Sequence, residues 1–161
     1  MKFVLIIMNL TALLFAVEAS DCVRSKPIST MKFNSPFKIT KLSGRMWIHK
    51  EQIELDPNTK VIIENKGCES YWIEYQILIS NLDKDVGAYE RLIEVIKTIS
   101  KFNKSSINLV KVASILKETD ENKIYKEENM ISKNEFGEYF TLSKKKDETV
   151  QIDTLSAVVG L

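Results

Sequence analysis

Between Tyr71 and Leu82 the chain alternates with a period of two: Tyr71, Ile73, Tyr75, Ile77 and Ile79 are interleaved with Trp72, Glu74, Gln76, Leu78 and Ser80. Alternation of this kind puts one set of side chains on a buried face and the other on a wetter face, so it predicts a strand. Trp72 and Leu78 interrupt the polar set, which predicts that part of that face is covered, the nearest cover being the protein's own helix or arm. The pattern then turns helical over 84–102, where Val86, Tyr89, Ile93, Ile96 and Ser100 share one stripe, widened by Leu92, Ile99 and Phe102. Asp83 and Asp85 stand at the start of this helix and Lys97, Lys101 and Lys104 crowd its end, both matching the macrodipole, and Asn103 is the expected stop.

The flanking segments carry shorter patterns. Phe37, Ile39 and Leu42 lead into a Ser43-Gly44 turn, and Met46, Trp47, Ile48, Ile53 and Leu55 follow it among charged residues, which predicts two strands. Asp56-Pro57-Asn58 predicts a tight turn, because the Asp side chain can bond the following backbone and Pro presets the next dihedral. Val61, Ile62 and Ile63 then read as a short strand ending at Asn65-Lys66-Gly67. Over 106–118 two readings compete: Leu109, Val112, Ala113 and Leu116 fit a helix, whereas β-branched Ile107, Val110, Val112 and Ile115 lean the segment toward a strand. Beyond a polar turn at 119–123, the segment 124–131 is heavily charged and weakly patterned. A hairpin closes the chain, 138–143 against 149–159, joined by Lys144-Lys145-Lys146-Asp147, with Tyr139, Phe140 and Leu142 expected to pair with Val150, Ile152 and Leu155.

Together these elements predict an α+β fold: a mainly antiparallel sheet packed on one principal helix, in a single domain over 20–161. Residues 20–36, with Pro27 and Pro36 among several Ser and Thr, predict an extended N-terminal arm. Ahead of it, Lys2, the apolar run from Phe3 to Ala16 and the small-residue stretch Val17-Glu18-Ala19-Ser20 have the layout of a secretory signal peptide over 1–19, cut after Ala19. The apolar run is shorter than the about 20 residues a bilayer span takes, so export is expected, to a periplasm or the extracellular space, with no stable membrane span after processing.

That destination changes the reading of the two cysteines, since an oxidising compartment favours a disulfide between Cys22 and Cys68. Such a bridge would staple the arm to the turn before Tyr71, and the chain-entropy treatment credits it with about 4 kcal/mol. The net charge of +1, with acidic residues interleaved among the basic ones and arginine confined to Arg24, Arg45 and Arg91, argues against nucleic acid as a partner.

Candidate chemistry is sparse. His49 is the sole histidine, so neither a metal cage nor a serine triad can be assembled from imidazoles, and no nucleophile elbow accompanies it. Neither Gly-x-Gly-x-x-Gly nor a Gly-Lys-Ser/Thr loop occurs, and Asp120-Glu121-Asn122-Lys123 lacks the turn glycine and third acidic ligand of a calcium loop. No catalytic residue, metal or cofactor is therefore expected. Asn103-Lys104-Ser105 is a glycosylation acceptor where the host glycosylates exported proteins. Trp47, Tyr71, Trp72 and Tyr75 lie on neighbouring predicted strands and supply either core or a binding surface. The expected function is that of a small exported, non-enzymatic binding protein, an inhibitor or neutralising partner of another exported protein. The alternatives are a carrier enclosing a small apolar ligand, and a cell-envelope hydrolase built on carboxylates from the set Glu51, Glu54, Glu64, Glu69 and Glu74.

Overall fold

The odd positions of the alternating strand are buried as its period requires: Ile73, Tyr75 and Ile77 are fully enclosed and Ile79 nearly so. In the computed structural model, which describes residues 27–44, 47–66, 71–80, 87–132, 137–146 and 150–159, this strand is the centre of the molecule. The predicted signal peptide, Cys22 and Cys68 lie outside the described residues. Four strands come first, β1 (Lys38–Leu42), β2 (Ile48–Asp56), β3 (Thr59–Lys66) and β4 (Tyr71–Ser80). Three helices follow, α1 (Ala88–Ser100), α2 (Leu109–Glu118) and α3 (Glu121–Ile124), and then β5 (Asn129–Ser132), β6 (Glu138–Lys146) and β7 (Val150–Val159). All seven strands form one antiparallel sheet in the order β1-β2-β3-β4-β7-β6-β5, so the last strand returns to pair with β4 in the middle. The fold is α+β and dominated by its sheet, with α1 the longest of the three helices among the described residues.

The helices lie on the face carrying the odd residues of β4. Leu92, Ile93, Val95, Ile96 and Ile99 of α1 and Leu109, Val112, Ala113 and Leu116 of α2 join Ile53, Val61, Ile63, Phe140, Leu142 and Leu155 of the sheet in one buried cluster. At about 25 cal/mol per Å² of apolar area removed from water, this cluster is the main source of stability. No helix among the described residues is long and apolar enough to cross a membrane.

Several local devices position the elements. Asp56 accepts from the Asn58 backbone amide at 2.8 Å, as the Asp-Pro-Asn pattern predicts, and Arg91 of α1 reaches over to Asp56 Oδ2 at 2.6 Å and Thr59 Oγ1 at 3.3 Å. The segment predicted to lean toward a strand is helix α2, capped by the Asn108 side chain, which accepts from the Lys111 amide at 3.0 Å. Its β-branched residues are accommodated because Val112 is buried in the core while Val110 stands 67 % exposed. The weakly patterned 124–131 segment contains the end of α3 and all but the last residue of edge strand β5. The closing hairpin forms in a different register from the expected one: Leu142 meets Leu155, but Phe140 meets Ala157 and Tyr139 meets Val158.

Of the expected arm, residues 27–36 are described, and they include a turn in which the Ser35 amide donates to the Lys32 carbonyl at 3.2 Å. Thr30 and Met31 are buried, Met31 bridges to Asn103, and the Lys32 and Lys104 amides bond Phe102 and Thr30 carbonyls at 2.8 Å each. The arm thereby fills the seam between the end of α1 and the β2–β3 side of the sheet, where Asn65 Nδ2 donates to the Ile28 carbonyl at 2.9 Å.

Candidate functional site

The four aromatic residues expected to act together are distributed to three places. Tyr75 is core: its ring is fully buried, its hydroxyl lies 3.2 Å from Ser105 Oγ, and burial raises its pKa. Tyr71 is half-buried on the helix-bearing face and its hydroxyl accepts from the Ser106 amide at 3.3 Å. Trp72 stands 41 % exposed on the opposite, outer face. Trp47 is half-buried in the β1–β2 turn. The expectation that a helix or the arm covers the Trp72 face is not met among the described residues, because the period-two pleat sends Trp72 away from the side on which the helices pack.

What the sheet register does assemble on that outer face is a band. Ile48 is opposite Lys66, Lys66 opposite Trp72, Trp72 opposite Val158, Val158 opposite Tyr139, and Tyr139 opposite Met130. Five of these six residues are apolar or aromatic, and Trp72 and Met130, 44 % exposed, are the most open of them. Lys66 does not break the band, since its ammonium lies 5.1 Å from the centroid of the Trp72 ring and so covers it as a cation–π contact.

Beside the band runs a row of charges. Glu64 and Glu74 face each other across β3 and β4; Lys66 pairs with both, and Lys50 pairs with Glu64 at 2.5 Å. Hydrogen bonding from Lys50, only partly opposed by burial, lowers the Glu64 pKa, whereas for Lys66 burial alone would lower the value but the bonds to Glu74 and Glu64 outweigh it and raise it. Glu64 is thus held ionised, and both carboxylates are matched by lysines. Glu51 has a different setting: it is buried on the helix side, its Oε1 accepting from the Thr30 amide at 3.0 Å and hydroxyl at 3.1 Å, with Oε2 3.5 Å from His49 Nε2.

His49 borders a cleft of about 460 Å³ at the β1–β2 turn, together with Lys41, Leu42, Trp47, Ile48 and Lys50. Two backbone features shape it. Gly44 has no room for a Cβ, which would overlap the Ile48 carbonyl oxygen, and Trp47 takes φ of +67°, a conformation that costs an L-residue on the order of 1 kcal/mol. Because Ile48 belongs to both, the outer band runs into this cleft. Sequence reasoning missed the band because Met130, Tyr139 and Val158 come from segments far apart in the chain, and only strand order makes them neighbours of Trp72.

A second polar cluster is buried on the helix side. Asp153 is fully enclosed and accepts from Tyr125 Oη and Gln151 Nε2, each at 2.6 Å. Burial raises its pKa against the lowering effect of those bonds, and burial also raises that of Tyr125. Tyr89, whose ring is 6.3 Å from that of Tyr125, donates to the Leu116 carbonyl at 2.7 Å and is pushed up to about 12, chiefly by burial. This cluster ties α1, α2, α3 and β7 together. The Asn103 side chain is similarly engaged, donating to Ser105 Oγ at 2.8 Å and the Ile107 carbonyl at 3.2 Å, so a glycan on its nitrogen would have to break these bonds.

Compared with known proteins, the chain matches no protein-family model, and neither the curated proteins nor the solved structures give a significant match.

Proposed function

We propose that this chain is an exported, non-enzymatic binding protein that engages another exported protein through the outer face of its sheet. The observation that carries the reading is the band Ile48–Lys66–Trp72–Val158–Tyr139–Met130. Trp, Tyr and Met are enriched in the energetic centres of interfaces, and here they sit side by side on a rigid surface. Six strands at about 4.8 Å spacing make the band about 24 Å long. That is close to the width of a standard interface, which buries about 800 Å² on each partner. The neighbouring Lys50–Glu64–Lys66–Glu74 row supplies the polar rim, its charges already matched so that docking leaves none unpaired. Export rests on Lys2, the apolar run from Phe3 to Ala16 and the small residues after it.

The test is site-specific photocrosslinking in the native host. A photoreactive phenylalanine analogue at Met130 is expected to give one discrete adduct in the exported fraction, lost when Trp72→Ser is added, while the same analogue at exposed Lys117 on α2 gives none. Equal adducts from both positions, or none from position 130, would overturn the proposal.

A further inference from the structure

We propose that the cleft at the β1–β2 turn is a binding site for a small free anion that carries a planar apolar group, of the aromatic carboxylate class. Its volume of about 460 Å³ falls within the range of ligand pockets. Among the described residues, every titratable group that lines it is basic: Lys41, His49 and Lys50. Lys50 is already engaged by Glu64, whereas Lys41 is exposed and forms no ion pair among the described residues. The closest carboxylate along the strand, Glu51, is withdrawn from the cleft, both hydrogen bonds from Thr30 ending on its Oε1 and its Oε2 lying beside His49 Nε2. Glu51 thus occupies the His49 imidazole rather than the cleft, and the anion is left to Lys41.

The apolar half of the site comes from Trp47, Leu42 and Ile48. Trp47 holds a left-handed backbone conformation that a bulky residue avoids unless its surroundings impose it, and Gly44 is confined to glycine by the Ile48 carbonyl. The backbone at Trp47 therefore holds strain with its indole lining the same cleft as Lys41. A ring with a carboxylate satisfies both halves, since the ring buries against the indole and the anion reaches Lys41. This inference stands independently of the partner-binding reading, because it uses residues on the turn rather than the exposed Trp72–Met130 part of the band.

Trp47 and Trp72 are the two tryptophans of the chain, so their indole N–H signals in the ¹⁵N-labelled mature protein report the cleft and the sheet face separately. Titration with benzoate is expected to shift the Trp47 signal saturably and leave Trp72 in place. Benzamide, which lacks the charge, and acetate, which lacks the ring, are each expected to bind about tenfold more weakly, a difference of about 1.4 kcal/mol. Lys41→Gln, an exposed substitution that does not threaten folding, is expected to weaken benzoate about fivefold. Benzamide equal to benzoate would overturn anion recognition, and acetate equal to benzoate would reduce the site to surface lysines. A Lys41→Gln variant binding as tightly as the parent, or no saturable shift at Trp47, would overturn the proposal.

Discussion

At the scale of single residues, Glu51 is the most consequential polar group. Its Oε1 takes two hydrogen bonds from Thr30 of the arm, and its Oε2 lies beside His49. Replacing it with alanine leaves two donors of Thr30 buried without acceptors, so Glu51→Ala is expected to cost about 2 kcal/mol in urea denaturation. The Thr30 amide should also lose protection in hydrogen exchange; unchanged protection would show that the arm docks without this carboxylate. Titration separates two other acids by sign. Glu64 has its pKa lowered below 4.5, so the stability it contributes is present above that pH and is lost as the pH falls through its folded value. Asp153 has its pKa raised above 3.8, so its contribution is full below that pH and is lost as the pH rises toward its folded value. Relative to the parent, Asp153→Asn is therefore expected to gain stability between pH 3 and pH 7, and Glu64→Gln to lose it, as read from denaturant midpoints at each pH. The Asp56–Asn58 turn was legible in the sequence because both its partners are local. Glu51 was not, since Thr30 stands 21 residues earlier in the chain and nothing in the spacing announces the bond.

At the scale of elements, local pattern succeeded where the period was long and failed where two periods fitted. The ten residues of β4 and the thirteen of α1 follow their periods closely enough to be read directly. The 106–118 segment satisfies both periods, and α2 forms because Leu109, Val112, Ala113 and Leu116 can then be buried together in the core that α1 helps to form. Its cap contributes as well: Asn108→Ala is expected to cost about 1 kcal/mol and to raise exchange rates at the first turn of α2, and a change below about 0.3 kcal/mol would mean that packing alone holds the helix end. The closing hairpin is a case in which register, rather than element type, escaped the sequence. The observed hairpin pairs Leu142 with Leu155, and β7 also has to match β4 along its whole length, from Tyr71 opposite Val159 to Ser80 opposite Val150. That second pairing constrains the hairpin, and it is invisible until the strand order is known.

At the scale of the whole molecule, the division of faces decides what each aromatic residue can do. Trp72→Ser is expected to leave stability within about 0.5 kcal/mol of the parent while abolishing partner adducts, because it removes an exposed side chain. Tyr75→Ala should instead destabilise by about 3–5 kcal/mol, as truncation of a large core residue does. A large loss of stability in the Trp72 variant would mark that residue as structural and remove the basis of the binding surface. The amino-acid sequence by itself determined the α+β class, the antiparallel strands, the helical pattern of α1 and the Asp56 turn, because these depend on periodicity and on bonds within a few residues. It also set the limits on chemistry, since one histidine and few glycines are facts of composition. Only the tertiary structure decided that β7 inserts beside β4, that Trp72 meets Val158 and Tyr139, that Glu51 belongs to Thr30, and that Trp47 and His49 share a cleft with Lys41. Those relations join residues distant in the chain, and they are selected by burying one face of the whole sheet at once rather than by any local preference.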